Sequence, residues 1–227
     1  SRIRSHTMDK HAEQLLFTTS KLMGVNFLPV CEVQTKEVVP SDVPTLEAIQ
    51  LDHDSNCPHC TAATAHTKTV FGVGNPSASL MFVGEAPGAE EDAQGIPFVG
   101  PAGQKLNQII EAMGFARESV YIANVLKSRP KDNRTPLPSE VEQCGVYLQQ
   151  QIACIKPNVI VALGSPATKY LLQTQVGITK LRGIWGEFKG FPVMPTYHPA
   201  YLLRNYTKET RREVWSDMQK VKSELSQ

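Results

Sequence analysis

The residues best placed for chemistry lie in the segment GEAPGAEEDAQGIPFVG, residues 84–100. Glu85 and Glu91 offer carboxylates, Phe98 offers an aromatic face, and the glycines let the backbone approach a ligand closely. The segment follows the apolar run at 80–83 and precedes a helical pattern. We therefore expect it at the carboxyl end of a buried strand, where α/β sheets bind their ligands. The alternative is that the segment is only a solvated acidic turn, but the length of the segment and its position after a predicted strand disfavour this.

Two further polar residues fall at the ends of apolar runs. Asn124 interrupts the run at 120–126, where an amide supplies both a donor and an acceptor and is costly to bury unpaired. His198 follows the run at 192–196 and precedes a proline. Each is a candidate for ligand recognition, with a structural role as the alternative.

The elements that must position these residues alternate along the chain. Apolar runs typical of buried strands occur at 80–83, 120–126, 159–163 and 192–196. Helical patterns cover 102–113, 138–155, 165–173 and 209–225. Strands alternating with helices predict an α/β fold, a three-layer α/β/α sandwich with a central, mainly parallel four-stranded sheet.

The chain divides into three predicted parts. Residues 1–7 precede Met8 and resemble a cloning remnant, residues 8–56 are interpreted as an N-terminal extension with a possible short helix at 8–24, and residues 57–227 form the domain. We expect a cytoplasmic protein, because the sequence shows neither an apolar run long enough for a membrane span nor the apolar core of a signal peptide. We also expect it to be a monomer.

Charge gives little direction to the search for partners. The net charge of +1 lends no support to polyanion binding. From Val176 onward the chain has nine Lys/Arg and five Asp/Glu. This local excess of positive charge suits a surface that faces nucleic acid, but evenly distributed, solvated charges would give nearly the same count.

Three sequence blocks together resemble one enzyme family. GEAPGAEED with GIPFVGPAG, then YIANVLKSRPKDNRTP, then TYHPAYLLRN are similar to the motifs of the family 4 uracil-DNA glycosylases, repair enzymes that carry an iron–sulfur cluster. The likeness runs from about Cys57 to about Val221, with the blocks in order. It implies a monofunctional glycosylase of base-excision repair that hydrolyses the N-glycosidic bond after base flipping and needs no cofactor in the chemical step.

The resemblance also implies roles for individual residues. The uracil site would comprise Glu85, Ala86, Phe98, Asn124 and His198, with Phe98 stacking on the base, Asn124 reading its O4/N3 edge and His198 bonding O2. Catalytic groups would be Glu85, Glu91 and His198. The phosphates of the DNA would be contacted by Lys127, Arg129 and Arg134. The loop formed by Tyr201, Leu202, Leu203 and Arg204 would enter the DNA double helix as the base leaves, and its leucines would fill the vacated space.

Two other functions compete with this interpretation. A glycosylase that stays covalently attached to the abasic sugar would carry GEQPG and a basic insertion after PFVG, whereas this chain runs from PFVG into PAGQKL. A catalytically weakened DNA-binding or redox-responsive iron–sulfur protein is the remaining alternative. The expected partner is uracil-containing DNA, single or double stranded.

Five cysteines in a cytosolic chain argue against a disulfide framework: Cys31, Cys57, Cys60, Cys144 and Cys154. The resembled family holds a four-iron–four-sulfur cluster with four cysteines, and three positions match here: Cys57, Cys60 and Cys144. The remaining position is Ser128, a poor ligand for iron beside thiolate. Cys31 and Cys154 are interpreted as ordinary thiols.

Several outcomes follow from the serine. The cluster could assemble with serine or water on its unique iron, become a three-iron form, or be absent. Cys154 is a poor replacement for the missing cysteine because it lies too far along the helix, and His59 sits inside the CxxC turn. A zinc site would need a fourth ligand that the sequence does not locate. We expect an iron–sulfur cluster with three cysteine ligands and a structural role.

Overall fold

The computed structural model describes residues 43–63 and 65–226. The predictions made for residues 1–42, including the remnant, the helix at 8–24 and Cys31, lie outside the described residues.

Within the described residues, the sheet has six strands in the order β1-β3-β2-β4-β6-β5. The strands are β1 Val73–Gly74, β2 Leu80–Gly84, β3 Tyr121–Asn124, β4 Val159–Leu163, β5 Gly186–Phe188 and β6 Phe191–Thr196. The four central strands pair in parallel, as predicted. The two edge strands pair antiparallel and correct the predicted count of four. They span two and three residues, too few to show a period in the sequence.

Helices connect these strands along the described chain. They are α1 Leu46–Asn56, α2 Pro58–Ala62, α3 Ala89–Gln94, α4 Pro101–Ala112, α5 Pro138–Ile155, α6 Ser165–Leu172, α7 Ile178–Leu181, α8 Pro199–Arg204 and α9 Lys208–Leu225. Short 3₁₀ turns occur at Arg117–Ser119 and Lys131–Asn133. The predicted helices agree with α4, α5, α6 and α9 to within about one residue at each end.

Two apolar cores lie on opposite faces of the sheet and confirm the three-layer fold. Alternate residues of β4 divide between them, with Ile160 and Ala162 in one core and Val161 and Leu163 in the other. Helices α1, α2, α5 and α6 supply the first core, and α4, α8 and α9 supply the second. Both faces are therefore covered, as a parallel sheet requires.

The N-terminal boundary differs from the sequence interpretation. Residues 46–56, placed in the extension, form α1, whose Ile49 and His53 are buried beside α5. Apart from these two residues, the helix LEAIQLDHDSN has little apolar patterning, so its periodicity gave no signal. None of the helices in the described part of the chain has the length and hydropathy needed to cross a membrane.

Candidate active site and metal-binding cluster

A pocket of about 530 Å³ opens at the carboxyl edge of the sheet. It is lined by every residue predicted for the uracil site and for catalysis: Glu85, Ala86, Glu91, Phe98, Asn124 and His198. Glu85 follows β2, and Asn124 ends β3 on the neighbouring strand. His198 comes two residues after β6. Because parallel strands end at the same edge, these distant residues meet in one cavity.

Glu91 holds the loop around the pocket together. Its two carboxylate oxygens accept hydrogen bonds from the backbone N–H groups of Gly88 (3.2 Å), Val99 (2.9 Å) and Gly100 (2.9 Å). The side chain therefore closes the segment 88–100 into a ring and stabilises the start of α3. These three contacts give the Glu91 side chain a positioning role in the loop.

Asn124 is a buried amide in the wall of the pocket. It is 2 % exposed, and its Oδ1 has no hydrogen-bond partner within the described residues. A buried amide oxygen without a partner costs about 1–3 kcal/mol. The pocket wall thus presents an acceptor that is available to a donor group on a ligand.

Phe98 and Gly84 fit closely beside this amide. A side chain at Gly84 would clash with both Asn124 Oδ1 and the Phe98 ring, so glycine is needed there. Phe98 adopts a left-handed backbone (φ 52°), and its ring centroid lies 5.6 Å from that of His198. Strained backbone of this kind is common at ligand sites, and here it aims a flat ring into the cavity.

The geometry of His198 fixes its tautomer. Its Nδ1 accepts a hydrogen bond from the backbone N–H of Ala200 (3.1 Å), so the neutral ring carries its proton on Nε2. Burial, aided by the charge of Arg204, lowers the pKa of His198 to about 4. Gly164 leaves room for the ring, since a side chain there would press against the Cβ of His198. His198 is therefore a neutral Nε2–H donor at physiological pH.

Glu85 is half-buried, and burial raises its pKa. Its backbone carbonyl accepts from Leu126 N–H (3.0 Å), which fixes the turn after β2 against the turn after β3. A raised pKa makes the ionised carboxylate a stronger base than one in water.

The residues predicted to contact DNA divide into exposed and buried groups. Arg134 and Arg204 line the pocket and are exposed, and Tyr201 and Leu203 are exposed on α8. Arg129 is half-buried and donates to Asn133 Oδ1 (2.8 Å).

Two of those predictions are wrong because the side chains are buried. Lys127 is fully buried and donates to the carbonyl of Asn124 (2.7 Å) and to Gln151 Oε1 (2.6 Å), so it does not reach a phosphate. Leu202 is 3 % exposed and packs in the core with α4 and α9, so it cannot enter the DNA helix.

A second cluster of reactive side chains, which we call the thiol cluster, lies within the first core. It comprises His53, Cys57, Cys60 and Cys144, all buried, with ligand atoms that lie within 4.8 Å of one another. The structure thus brings together the three predicted cysteines and adds His53, which sequence reasoning missed. The signal that could have found it is the spacing H-x₃-C-x₂-C, with the histidine one helical turn before the first cysteine.

Ser128 borders the thiol cluster and is hydrogen-bonded on two sides. Its Oγ lies 3.3 Å from Cys60 Sγ and 3.1 Å from His59 Nε2. A cluster held by four thiolates therefore does not fit this chain, because the fourth position carries a hydroxyl that already has partners.

The thiol cluster is connected to the pocket through the segment after β3. The backbone N–H of Lys127 donates to Cys144 Sγ (3.1 Å), while the Lys127 ammonium holds the carbonyl of Asn124. Burial lowers the pKa of Lys127 to about 8, and the neighbouring cysteine thiolates oppose that change. Hydrogen bonds from Cys144 and Cys60 lower the pKa of the Cys57 thiol.

Comparison with known proteins agrees with the fold class. A family model described as the uracil DNA glycosylase superfamily matches residues 71–219. A type-4 uracil-DNA glycosylase of Thermotoga maritima is 48 % identical over 169 residues, covering 72 % of this chain and 88 % of that protein. One of Archaeoglobus fulgidus is 43 % identical over 176 residues, covering 73 % and 86 %. A type-5 enzyme of Pyrobaculum aerophilum is 31 % identical over 162 residues, covering 62 % and 71 %.

The α/β fold described above agrees with the family match, which defines the class of protein. The chain belongs to the uracil-DNA glycosylase superfamily, and within it to the type-4 uracil-DNA glycosylases.

Proposed function

We propose that this protein acts as a monomer to excise uracil from single- or double-stranded DNA, by hydrolysing the N-glycosidic bond of a nucleotide flipped into the carboxyl-edge pocket. The observation that carries the proposal is the unpartnered Oδ1 of Asn124, buried in the wall of that pocket. A base is inaccessible within the duplex stack, so a pocket of this kind acts on an extruded nucleotide.

Base selection follows from the two halves of the Asn124 amide. Uracil presents an N3–H donor and an O4 acceptor, which match Oδ1 and Nδ2 respectively. Cytosine presents a bare N3 and an N4 amino donor, which would leave Oδ1 facing the wrong group at N3 and put two donors together at position 4. Phe98 supplies the stacking face beside this edge. The pocket therefore discriminates by hydrogen bonds that a mismatched base cannot make.

Bond cleavage places the electron pair of the C1′–N1 bond on the departing uracil, with much of the charge on O2. The Nε2–H of His198 is the donor available to stabilise that charge. Because the bond strengthens as charge develops, it lowers the transition state more than the ground state. A neutral imidazole donates without protonating the leaving group.

Water completes the hydrolysis at the sugar. Its oxygen bonds to C1′, and Glu85 is the carboxylate that accepts the released proton and faces the positive charge developing on the sugar. The raised pKa of Glu85 favours this acceptance. Glu91 acts indirectly, by holding the loop that carries Phe98.

DNA engagement uses the exposed residues around the pocket. Leu203, 44 % exposed on α8, is the residue suited to fill the space that the flipped base vacates. Arg204 and Arg129 supply positive charge for phosphates. Arg134 pairs with Glu140 through two hydrogen bonds (2.8 and 2.6 Å), so its charge is already partly compensated.

The metal centre has a structural role in this proposal. Its ligands come from α1, the start of α2 and α5, and Cys144 contacts the segment that ends in Asn124. A bound ion would therefore fix the backbone beneath the recognition amide without touching the substrate.

The test is release of uracil from oligonucleotides that carry U, C or T at one position. We expect the protein to release uracil and to leave cytosine and thymine in place. An intact, folded protein that binds uracil-containing DNA yet releases no base would overturn the proposal and favour the weakened DNA-binding alternative.

A further inference from the structure

We propose that His53 completes a Cys₃His site with Cys57, Cys60 and Cys144, and that this site holds a single tetrahedral ion of the zinc class. The inference does not depend on the uracil chemistry. It replaces the four-thiolate iron–sulfur cluster that the resemblance implies, for which position 128 lacks the thiol, and also the three-cysteine cluster expected from the sequence.

Two ligand–ligand distances, both measured from Cys60, are close to those around a single tetrahedral ion. Zinc–sulfur bonds of about 2.3 Å and zinc–nitrogen bonds of about 2.0 Å place tetrahedral ligand atoms roughly 3.5–3.8 Å apart. Here His53 Nε2 lies 3.2 Å from Cys60 Sγ, and Cys60 Sγ lies 3.6 Å from Cys144 Sγ. A four-iron cluster puts a separate iron behind each ligand and spreads the ligands further apart than a single ion does.

The nitrogen ligand is held as metal-bound histidines are. His53 is fully buried, and its second ring nitrogen, Nδ1, is 2.8 Å from Asp54 Oδ1. Donation of that N–H to a carboxylate fixes the tautomer that leaves Nε2 free for an ion. Asp54 is itself oriented by the hydroxyl of Thr69, which donates to the same oxygen (2.9 Å).

The charge around the site also matches this ligand set. Three thiolates around a divalent ion leave one net negative charge, which a buried site must compensate. Lys127 supplies one positive charge, fully buried, and the described residues give it no carboxylate partner. Its backbone N–H donates to Cys144 Sγ. The ion, its three thiolates and the Lys127 ammonium would then be neutral as a group.

Ser128 has a supporting part in this arrangement. Its hydroxyl sits 3.3 Å from Cys60 Sγ, as a hydrogen-bonding neighbour of a ligand sulfur, and contacts His59 on its other side. Loss of this hydroxyl should weaken the site slightly, whereas loss of His53 removes a ligand.

The experiment measures metal content and cobalt spectra of the purified full chain, prepared without metal-affinity resin. We expect about one zinc per chain in the parent protein, in Ser128→Ala and in His59→Ala, the latter being a control histidine in the same turn. In His53→Ala, zinc retained against a chelator should fall at least tenfold. Iron with sulfide in the anaerobically purified protein, or a His53→Ala variant that keeps zinc like the parent, would overturn the proposal.

A second variant keeps the test decisive if His53→Ala does not fold. His53→Cys preserves four ligands but raises the thiolates from three to four. With cobalt in place of zinc, the sulfur-to-cobalt charge-transfer absorption should rise by about one third over the parent protein. An unchanged intensity would show that residue 53 is outside the coordination sphere.

Discussion

The pocket and the thiol cluster lie on either side of one short segment, yet they relate to the sequence differently. In the pocket, the residues of the family motifs line one cavity around an unpartnered amide. In the thiol cluster, one family position carries a serine, and a histidine from another helix faces the three cysteines. The recognition of a base depends on exact donor and acceptor positions, whereas a structural ion accepts any suitable ligand that reaches it.

The largest effect should come from the pocket. Replacing His198 with alanine should lower the single-turnover rate of uracil release by about 100-fold or more, because a donor to the developing anion is lost. Binding of uracil-containing DNA should change far less. Rapid-quench measurement of base release beside a binding titration checks this. A near-parental rate would remove His198 from the chemistry.

The next largest effect should come from the thiol cluster, where the Asp54 carboxylate contacts the second ring nitrogen of His53. Asp54→Ala should weaken zinc affinity by about 10- to 100-fold, since an outer partner of a metal-bound histidine is lost. Asp52→Ala is the matched control, because Asp52 is on the same helix and bonds Asn56 instead. Equal zinc affinity in the two variants, measured by chelator competition, would show that Asp54 does not support His53 as a metal ligand.

Leu203 tests how the gap left in the DNA stack is filled, and its replacement should give a smaller effect. Leu203→Ala should slow excision from duplex DNA by about tenfold. Unstacking the target base costs a few kcal/mol, and the Leu203 side chain offsets part of this cost by filling the vacated space. Excision from single-stranded DNA should be unaffected, as no stack has to be filled. Leu51→Ala, at an exposed leucine of α1, serves as the control. Equal slowing on both substrates would assign Leu203 to folding or general binding.

The smallest expected effect concerns the protonation of His198, whose ring should stay neutral at pH 6 in the folded protein. The folded-state pKa of His198, about 4, lies below its ordinary value of about 6.5. The unfolded chain therefore takes up this proton first as pH falls, so the stabilising contribution is full above about pH 6.5 and is lost toward pH 4. Nitrogen-15 spectra of the imidazole should show a neutral Nε2–H ring at pH 6. A charged ring at that pH would contradict the assigned donor.

The sequence predicted those strands and helices that are long enough to show a repeating apolar pattern. The four parallel strands and the helices α4, α5, α6 and α9 have enough residues for an apolar pattern. The edge strands are too short, and α1 buries little beyond Ile49 and His53, so His53 went unnoticed as a ligand.

The motif residues of the pocket were predictable because their order along the chain is distinctive, but the roles of some were not. That Glu91 binds three backbone N–H groups depends on the folded path of the loop. Lys127 and Leu202 appear beside exposed neighbours in the sequence, yet tertiary packing buries both. Chain proximity to a functional residue therefore did not decide which side chains face DNA.

The most direct test of the account is single-turnover uracil excision by Asn124→Asp compared with Asn133→Asp. Both variants add one negative charge to the same pocket, but among the described residues that line it only Asn124 has a buried side-chain oxygen without a hydrogen-bond partner. We predict a loss of about 100-fold or more for Asn124→Asp, because a carboxylate cannot donate to O4, and a rate within a few-fold of the parent for Asn133→Asp. An Asn124→Asp variant that excises uracil at the parental rate would contradict the assignment of this pocket to base recognition.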